Sequence, residues 1–562
     1  MAQLAAGDNP NTPRGVCHNE TQLSYFLGIA LSCQATARIE ATVIEVEVHQ
    51  LLRNFLRQQG HTQWPHHLTM ARLVARALRL GRSALLQTGS TAAYRGRYRL
   101  SYLMPALVWP GPIVLVVPDA IHQQLIQDDI PTLLQTLPTV KSIQIGDRWP
   151  SKTFQGILIT TPSAWLSAQI TTPHETSSLQ TTSSFPPNIV TLIDGIDPLV
   201  DWIRLELTSN LDDTDWHQLG LAYPAQQTII RDIRVKLTHL AFQHPANPYS
   251  CYLADAEEYA LLDELYDQLA SAPLGLDALP PNWQKFRCQL SQADGMTWLQ
   301  LNRESGQLTL RCAPVNVAEI MRPIWQRQPV VLIGAAVDEE ARAESYRQSL
   351  GLQDVTCLKF TSDRQQDGIQ LYTPDRLPMP NSHQFSQAIL QEIRNLLQLP
   401  ESLTQPTVIL IGDDPLKTQI GSILAAEYGS RVQVERPEIM ENGILIAGWE
   451  FWHDYRLRCP PPGLLIITTL PIPSLENPLV AGQVAYYKRL RQDWFRLFLL
   501  PKALQTLQLA IAPISAQQGK VALLDNRVNH RSYGRTILKA LNPIAQSTYL
   551  DPNWLASINQ TL

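Results

Sequence analysis

Two series of short, unbroken apolar runs limit what this chain can fold into. SALLQ, PIVLVV, GILIT, NIVTLI and PVVLIGAAV lie between residues 83 and 337; TVILIG, GILIA, LLIITTL and KVALLD lie between 407 and 525. A strand with one wet face alternates apolar and polar residues. These runs do not alternate, and helical patterns separate them. They predict parallel strands covered by helices on both faces, and so an α/β chain with two such lobes. A helix is read from about Thr69 to Leu80, with Met70, Leu73, Val74, Ala77 and Leu78 on its apolar face. The segments read as follows: 1–60 a tail and helical extension, 61–205 the first part of lobe 1, 206–325 a mostly helical insertion, 326–376 the return strand of lobe 1 and a linker, and 377–562 lobe 2. The insertion carries one hairpin-like stretch, TWLQLNRESGQLTLRC.

Composition narrows the function classes. The chain has 562 residues, 44% of them hydrophobic, and a net charge of −5. Nucleic-acid binding would therefore need local basic patches. The seven cysteines form no CxxC pair, which points to reduced thiols and a cytoplasmic setting. The start MAQLAAGDNPNTPRG lacks the basic and apolar regions of a signal peptide. The uncharged run from Leu100 to Pro118 is broken by four prolines and Gly111, so no membrane helix is expected there.

The order of the segments carries more than any one of them. LLQTGSTAAYRGRYRLSYLMPAL precedes GILITTPSAWL, TLIDGIDPL, PVVLIGAAV and LPMPN. Later come ILIAGWEFWHDYRL, LLIITTLPIPSLENPL, DWFRLFLLPKALQTLQLA and VALLDNRVNHRSYG. As an ordered set, over roughly residues 64–545, they resemble the DinG/XPD branch of the superfamily 2 helicases. The resemblance implies two RecA-like lobes clamping ATP and magnesium, with an arch-like insertion in the first lobe. The family also carries an iron–sulfur cluster or its remnant ahead of the acidic motif. Residues 90–194 contain no Cys, so no cluster is expected here.

The polar residues that the family's chemistry needs are changed. A phosphate loop presents backbone N–H groups, a Lys and a magnesium-side Ser or Thr. The corresponding stretch offers Gly89, Ser90, Thr91 and Gly96, then Arg97 and Tyr98. A guanidinium is not a simple substitute for an ammonium, and a Tyr ring is too large for the hydroxyl position. An ordinary strand-to-helix turn is the alternative reading. In the acidic motif Asp194 remains, but Gly195 stands where the water-orienting Glu belongs and cannot act as a base. Gln508 aligns with the Gln of the arginine-finger motif, yet there is no Arg between Arg496 and Arg527. The family's Ser-Ala-Thr becomes Gly334, Ala335 and Ala336, and its Phe-Trp-Glu-Gly becomes Phe451, Trp452, His453 and Asp454, followed by Arg456. Asp194 and Gln508 thus read as vestigial.

A basic, aromatic-flanked stretch remains for nucleic acid. Arg72, Arg76, Arg79, Arg82, Arg95, Arg97 and Arg99 fall in an acid-free segment with Tyr94 and Tyr98. The bland alternative is a solvated helix face. His61, His66 and His67 lack nearby acid or Cys ligands and read as part of a loop anchored by Trp64 and Pro65. Three functions are in play: a helicase homologue defective in ATP hydrolysis that binds single-stranded DNA or a protein partner, an active 5′→3′ DNA helicase with divergent motifs, or an interaction scaffold without nucleic acid.

Overall fold

Strand Ala84–Gln87 is buried along its whole length, and it pairs in parallel with Val330–Gly334 on one side and Thr356–Lys359 on the other. The structure, a computed structural model, describes residues 44–58, 64–94, 96–137, 141–170, 185–361, 368–399, 402 and 404–550. The tail at 1–43, Arg95 and the polar loop at 171–184 lie outside the described residues. The first sheet has seven parallel strands. Their order is Thr356–Lys359, Ala84–Gln87, Val330–Gly334, Thr191–Asp194, Ile113–Val116, Ile157–Thr160 and Ile143–Ile145. The second sheet also has seven parallel strands, with Thr407–Leu410 near its centre and Ile369–Tyr372 beside Lys520–Leu523. Both lobes follow the α/β pattern read from the apolar runs. Ile369–Tyr372, which lies ahead of residue 377, pairs within the second sheet.

Helix His67–Leu80 lies against Leu100–Val108 on one face of the first sheet, and residues 44–58 add a helix to the same core. Met70, Val74, Ala77 and Leu78 recur at helical spacing and are buried. The helix stops at Gly81, whose left-handed backbone lets its N–H reach the Ala77 and Leu78 carbonyls. His67 bonds to the Ser101 hydroxyl at 2.9 Å and is 4% exposed. Burial, with His66 beside it, lowers its pKa from 6.5 to about 4. A depressed pKa favours the neutral ring in the fold. Its stabilisation is full above about pH 6.5 and lost as the pH falls towards 4. The difference is roughly 3 kcal/mol. Wild type should therefore lose unfolding-midpoint stability across pH 6.5–4 more steeply than His67→Gln; equal slopes would rule this out.

The insertion has more strand than its sequence suggested. The hairpin Gly295–Asn302/Gln307–Pro314 gains Ser209–Leu211 on one edge and Cys251–Leu253 on the other, which makes a four-stranded antiparallel sheet. Helices Asp213–Ala222, Gln227–Gln243, Ala256–Ala270 and Pro281–Leu290 pack on it around Trp216, Trp283 and Phe286. Capping boxes at Asp212/Asp215 and Asp255/Glu258 set the starts of two of them.

The insertion also fastens to the second lobe. Met296, Trp298 and Cys251 pack against Leu479 and Tyr486 of that lobe, and Arg489 donates to the Ala293 carbonyl at 2.7 Å. The run Phe495–Ser515 is long and apolar enough to cross a membrane. It is mostly buried, and its Leu500, Leu504, Leu507, Ile511 and Ile514 fill the second lobe's core.

Candidate nucleotide and nucleic-acid sites

Asp194 ends the strand Thr191–Asp194 at the centre of the first sheet and is 0% exposed. Its carboxylate is surrounded by side chains from the stretch 98–102 and by the next backbone N–H. Tyr98 donates its hydroxyl to Oδ1 at 2.5 Å, and Tyr102 donates to Oδ2 at 2.8 Å. The Gly195 N–H donates to Oδ1 at 2.8 Å, and the Arg99 guanidinium stands 4.0 Å away. Burial pushes the Asp194 carboxyl above the usual carboxylate range, against the pull of Arg99, the two hydroxyls and the Gly195 N–H. Burial beside Asp194 likewise drives both tyrosines well above their ordinary value.

The backbone of residues 88–94 and 96–99 forms a short helix and turns. Thr88 and Gly89 donate their N–H groups to the Gly334 and Ala335 carbonyls at 2.8 and 3.0 Å. Helix Ser90–Tyr94 follows, with Thr91 buried and Ser90 half-buried. Gly96 then bends in the left-handed region, and a Cβ there would meet the Arg99 guanidinium at 2.5 Å. Arg97 is half-buried and makes no ion pair among the described residues.

Gly195 also has a left-handed backbone, with φ +76°, and a Cβ there would sit 3.0 Å from Ile121. Installing the missing acid as Gly195→Glu is therefore expected to destabilise the first lobe by about 1–2 kcal/mol and to restore no turnover. A variant as stable as wild type in thermal unfolding would contradict this. The next acid, Asp197, is committed to backbone N–H groups. Its two oxygens accept the Ala335 and Ala336 N–H groups at 2.9 Å each, which holds the Gly334–Ala336 turn.

The second lobe meets this region directly. Helix Leu500–Ser515 packs on helix Ser90–Tyr94. Gln505 donates to the Asp197 carbonyl at 2.9 Å, and Lys502 pairs with Asp201 at 3.0 Å. Gln508 donates to Glu339 of the first lobe at 3.2 Å and to the Ala540 carbonyl at 2.7 Å. Arg456, which the sequence reading names only as part of an altered motif and gives no role, follows helix Trp449–Tyr455. Burial lowers its pKa against the attraction of Asp197, Asp454 and Tyr94, and its guanidinium donates to the His453 carbonyl. A lone Arg after an altered motif gives no sequence signal of that attraction.

The arginines proposed for nucleic acid separate into groups. Arg72 and Arg76 are exposed on the outer face of helix His67–Leu80, and Arg82 is exposed just beyond it. Arg79 pairs with Glu45 at 2.9 Å. Arg99 is not a surface residue: it is 3% exposed and bonded to Gln124 at 2.7 Å and Asp129 at 3.1 Å. It points inward because the turn at Gly96 directs its side chain onto the acids below. Arg95 lies outside the described residues. The ring nitrogens of His66 and His67 engage the Thr361 carbonyl and Ser101. Trp64 anchors their loop, packing edge-on against Phe360 at 5.1 Å. His61 lies outside the described residues.

Two parallel α/β lobes, with an insertion leaving the first and docked on the second, give the fold seen in solved XPD helicase structures. An XPD helicase structure superposes with a TM-score of 0.53 at 12% identity, covering 86% of this chain and 100% of the other. Xpd4 of S. tokodaii gives the same values. No family model matches the chain. In sequence it is similar to the ATP-dependent DNA helicase YoaA of Haemophilus influenzae, 27% identical over 128 residues, and to YoaA of Escherichia coli, 30% identical over 105 residues. Those stretches cover 22% and 18% of this chain and 20% and 16% of the relatives, about a fifth of their length or less.

Proposed function

We propose that this chain is a helicase homologue that has kept the two-lobed frame and lost efficient ATP hydrolysis, and that it works as a nucleic-acid-binding module. The observation that carries the reading is the occupation of Asp194. Both carboxylate oxygens are engaged by Tyr98 and Tyr102, at the place where the family would hold a hydrated magnesium. The Gly89 N–H goes to Ala335 rather than to an anion. Magnesium–ATP does not fit these residues as they stand. The related helicases supply the expectation of DNA; Arg72 and Arg76 supply the exposed cations, and Arg97 a half-buried third. The same reading keeps the protein in the cytoplasm.

Filter binding of a single-stranded DNA oligonucleotide tests it. Affinity should fall with salt and be indifferent to ATP. Arg72→Glu with Arg76→Glu should reduce the slope of log affinity against log salt by about 0.7 for each phosphate that is no longer neutralised. Binding unchanged in that double variant removes the proposed face. An active helicase is the second reading, and the attraction between Arg456 of the second lobe and Asp197 of the first is the observation in its favour.

A further inference from the structure

The second lobe carries a cavity of about 420 Å³ whose residues play no part in the sites above. Met379 and Asn381, which follow strand Ile369–Tyr372, form one wall. Arg527, Arg531 and Tyr533, which follow strand Lys520–Leu523, form the other, and Phe495 completes it. These two strands are parallel neighbours, with Tyr372 opposite Ala522.

The connections beyond them diverge. From Ile369–Tyr372 the chain runs to helix Phe385–Leu397, packed in the core on one face of the sheet. From Lys520–Leu523 it runs to helix Gly534–Ala540, and Val528 and Ile537 pack in the core on the other face. Two adjacent parallel strands whose connections part to opposite faces leave a crevice at their carboxyl ends. Open α/β sheets take ligands in such crevices.

The lining has a definite chemistry. The Phe495 and Tyr533 rings lie 4.9 Å apart and tilted, and both are half-buried, so each offers an aromatic face to the space. Met379 faces the same space. Arg531 is exposed and makes no ion pair among the described residues. Arg527 is held on Asp525 through Nε and Nη2 at 2.9 and 2.6 Å, which fixes its fork and leaves Nη1 outside the pair. Aromatic faces take a planar ring, and a pre-set guanidinium beside an unpaired one takes a phosphate.

We propose that this crevice binds one nucleotide unit, with its base on Phe495 and Tyr533 and its phosphate on Arg531 and Arg527. The volume falls within the range of small-ligand sites. The proposal does not rest on the reading of Asp194 or of the Arg72–Arg76 face.

Calorimetric titration of the full chain tests it, using adenosine monophosphate, adenosine, inorganic phosphate and a 5′-phosphorylated oligothymidylate. The monophosphate should bind at least about tenfold more tightly than adenosine or phosphate, since ring and phosphate each contribute. Arg531→Glu should abolish that difference while leaving the unfolding midpoint unchanged, because the side chain is exposed. Arg72→Glu with Arg76→Glu should not touch it. Loss of monophosphate binding in Arg531→Glu identifies a free nucleotide as the ligand. Loss of oligothymidylate binding alone identifies a nucleotide within a strand. The proposal is overturned if Arg531→Glu affects neither ligand, or if phosphate binds as tightly as the monophosphate.

Discussion

Given magnesium, ATP and single-stranded DNA, the purified protein is expected to turn over at least about 10³-fold more slowly than the roughly 1–10 s⁻¹ common among enzymes. Three losses combine. Gly195 cannot orient water, helix Leu500–Ser515 carries no Arg, and the Asp194 oxygens are engaged by tyrosines. An arginine finger by itself is worth about 10³–10⁵ in rate. Arg456 is the control, because from the second lobe it feels the charge of Asp197 in the first. If wild type releases phosphate at about 1 s⁻¹ and Arg456→Ala does not, the protein is an enzyme with a relocated arginine, and the proposed function fails.

Asp194→Ala is expected to destabilise the first lobe by about 3–5 kcal/mol. A magnesium-holding acid at the mouth of a cleft could be removed with little effect on stability, since it faces solvent and metal. Here the carboxylate is wholly buried. Its removal strands the hydroxyls of Tyr98 and Tyr102 and leaves Arg99 with only Gln124 and Asp129. Unpaired buried donors cost about 1–3 kcal/mol each. Tyr98→Phe and Tyr102→Phe, each with a smaller loss, should reproduce part of the effect. Thermal unfolding reads all three, and an Asp194→Ala protein that melts with wild type would show that the network contributes nothing.

The central strands were legible because burial on both faces leaves an unbroken apolar run, as in Ile113–Val116 and Leu464–Ile467. Strands at the margins were not. Ile143–Ile145 and Val432–Val434 are partly exposed and contain a Gln, so they carry no such run. Ser209–Leu211 and Cys251–Leu253 have three residues each, too few to display a period. The altered motifs were visible residue by residue, but not what had replaced them. Tyr98 and Tyr102 lie 96 and 92 positions from Asp194 in the chain, and nothing local announces the pairing. Arg99 and Arg72 look alike in a string of arginines. Only the bend at Gly96 sends one inward while the other stays in water.

The docking of the insertion on the second lobe has a mechanical consequence. Two bodies joined by a linker can swing. A third body rooted in one and gripping the other, as the insertion does through Arg489 and the Met296–Tyr486 packing, works as a strut across the hinge. A stroke that opens and shuts the groove would have to tear that strut loose in every cycle. On the function proposed above, such a strut would favour a fixed grip on nucleic acid over movement along it.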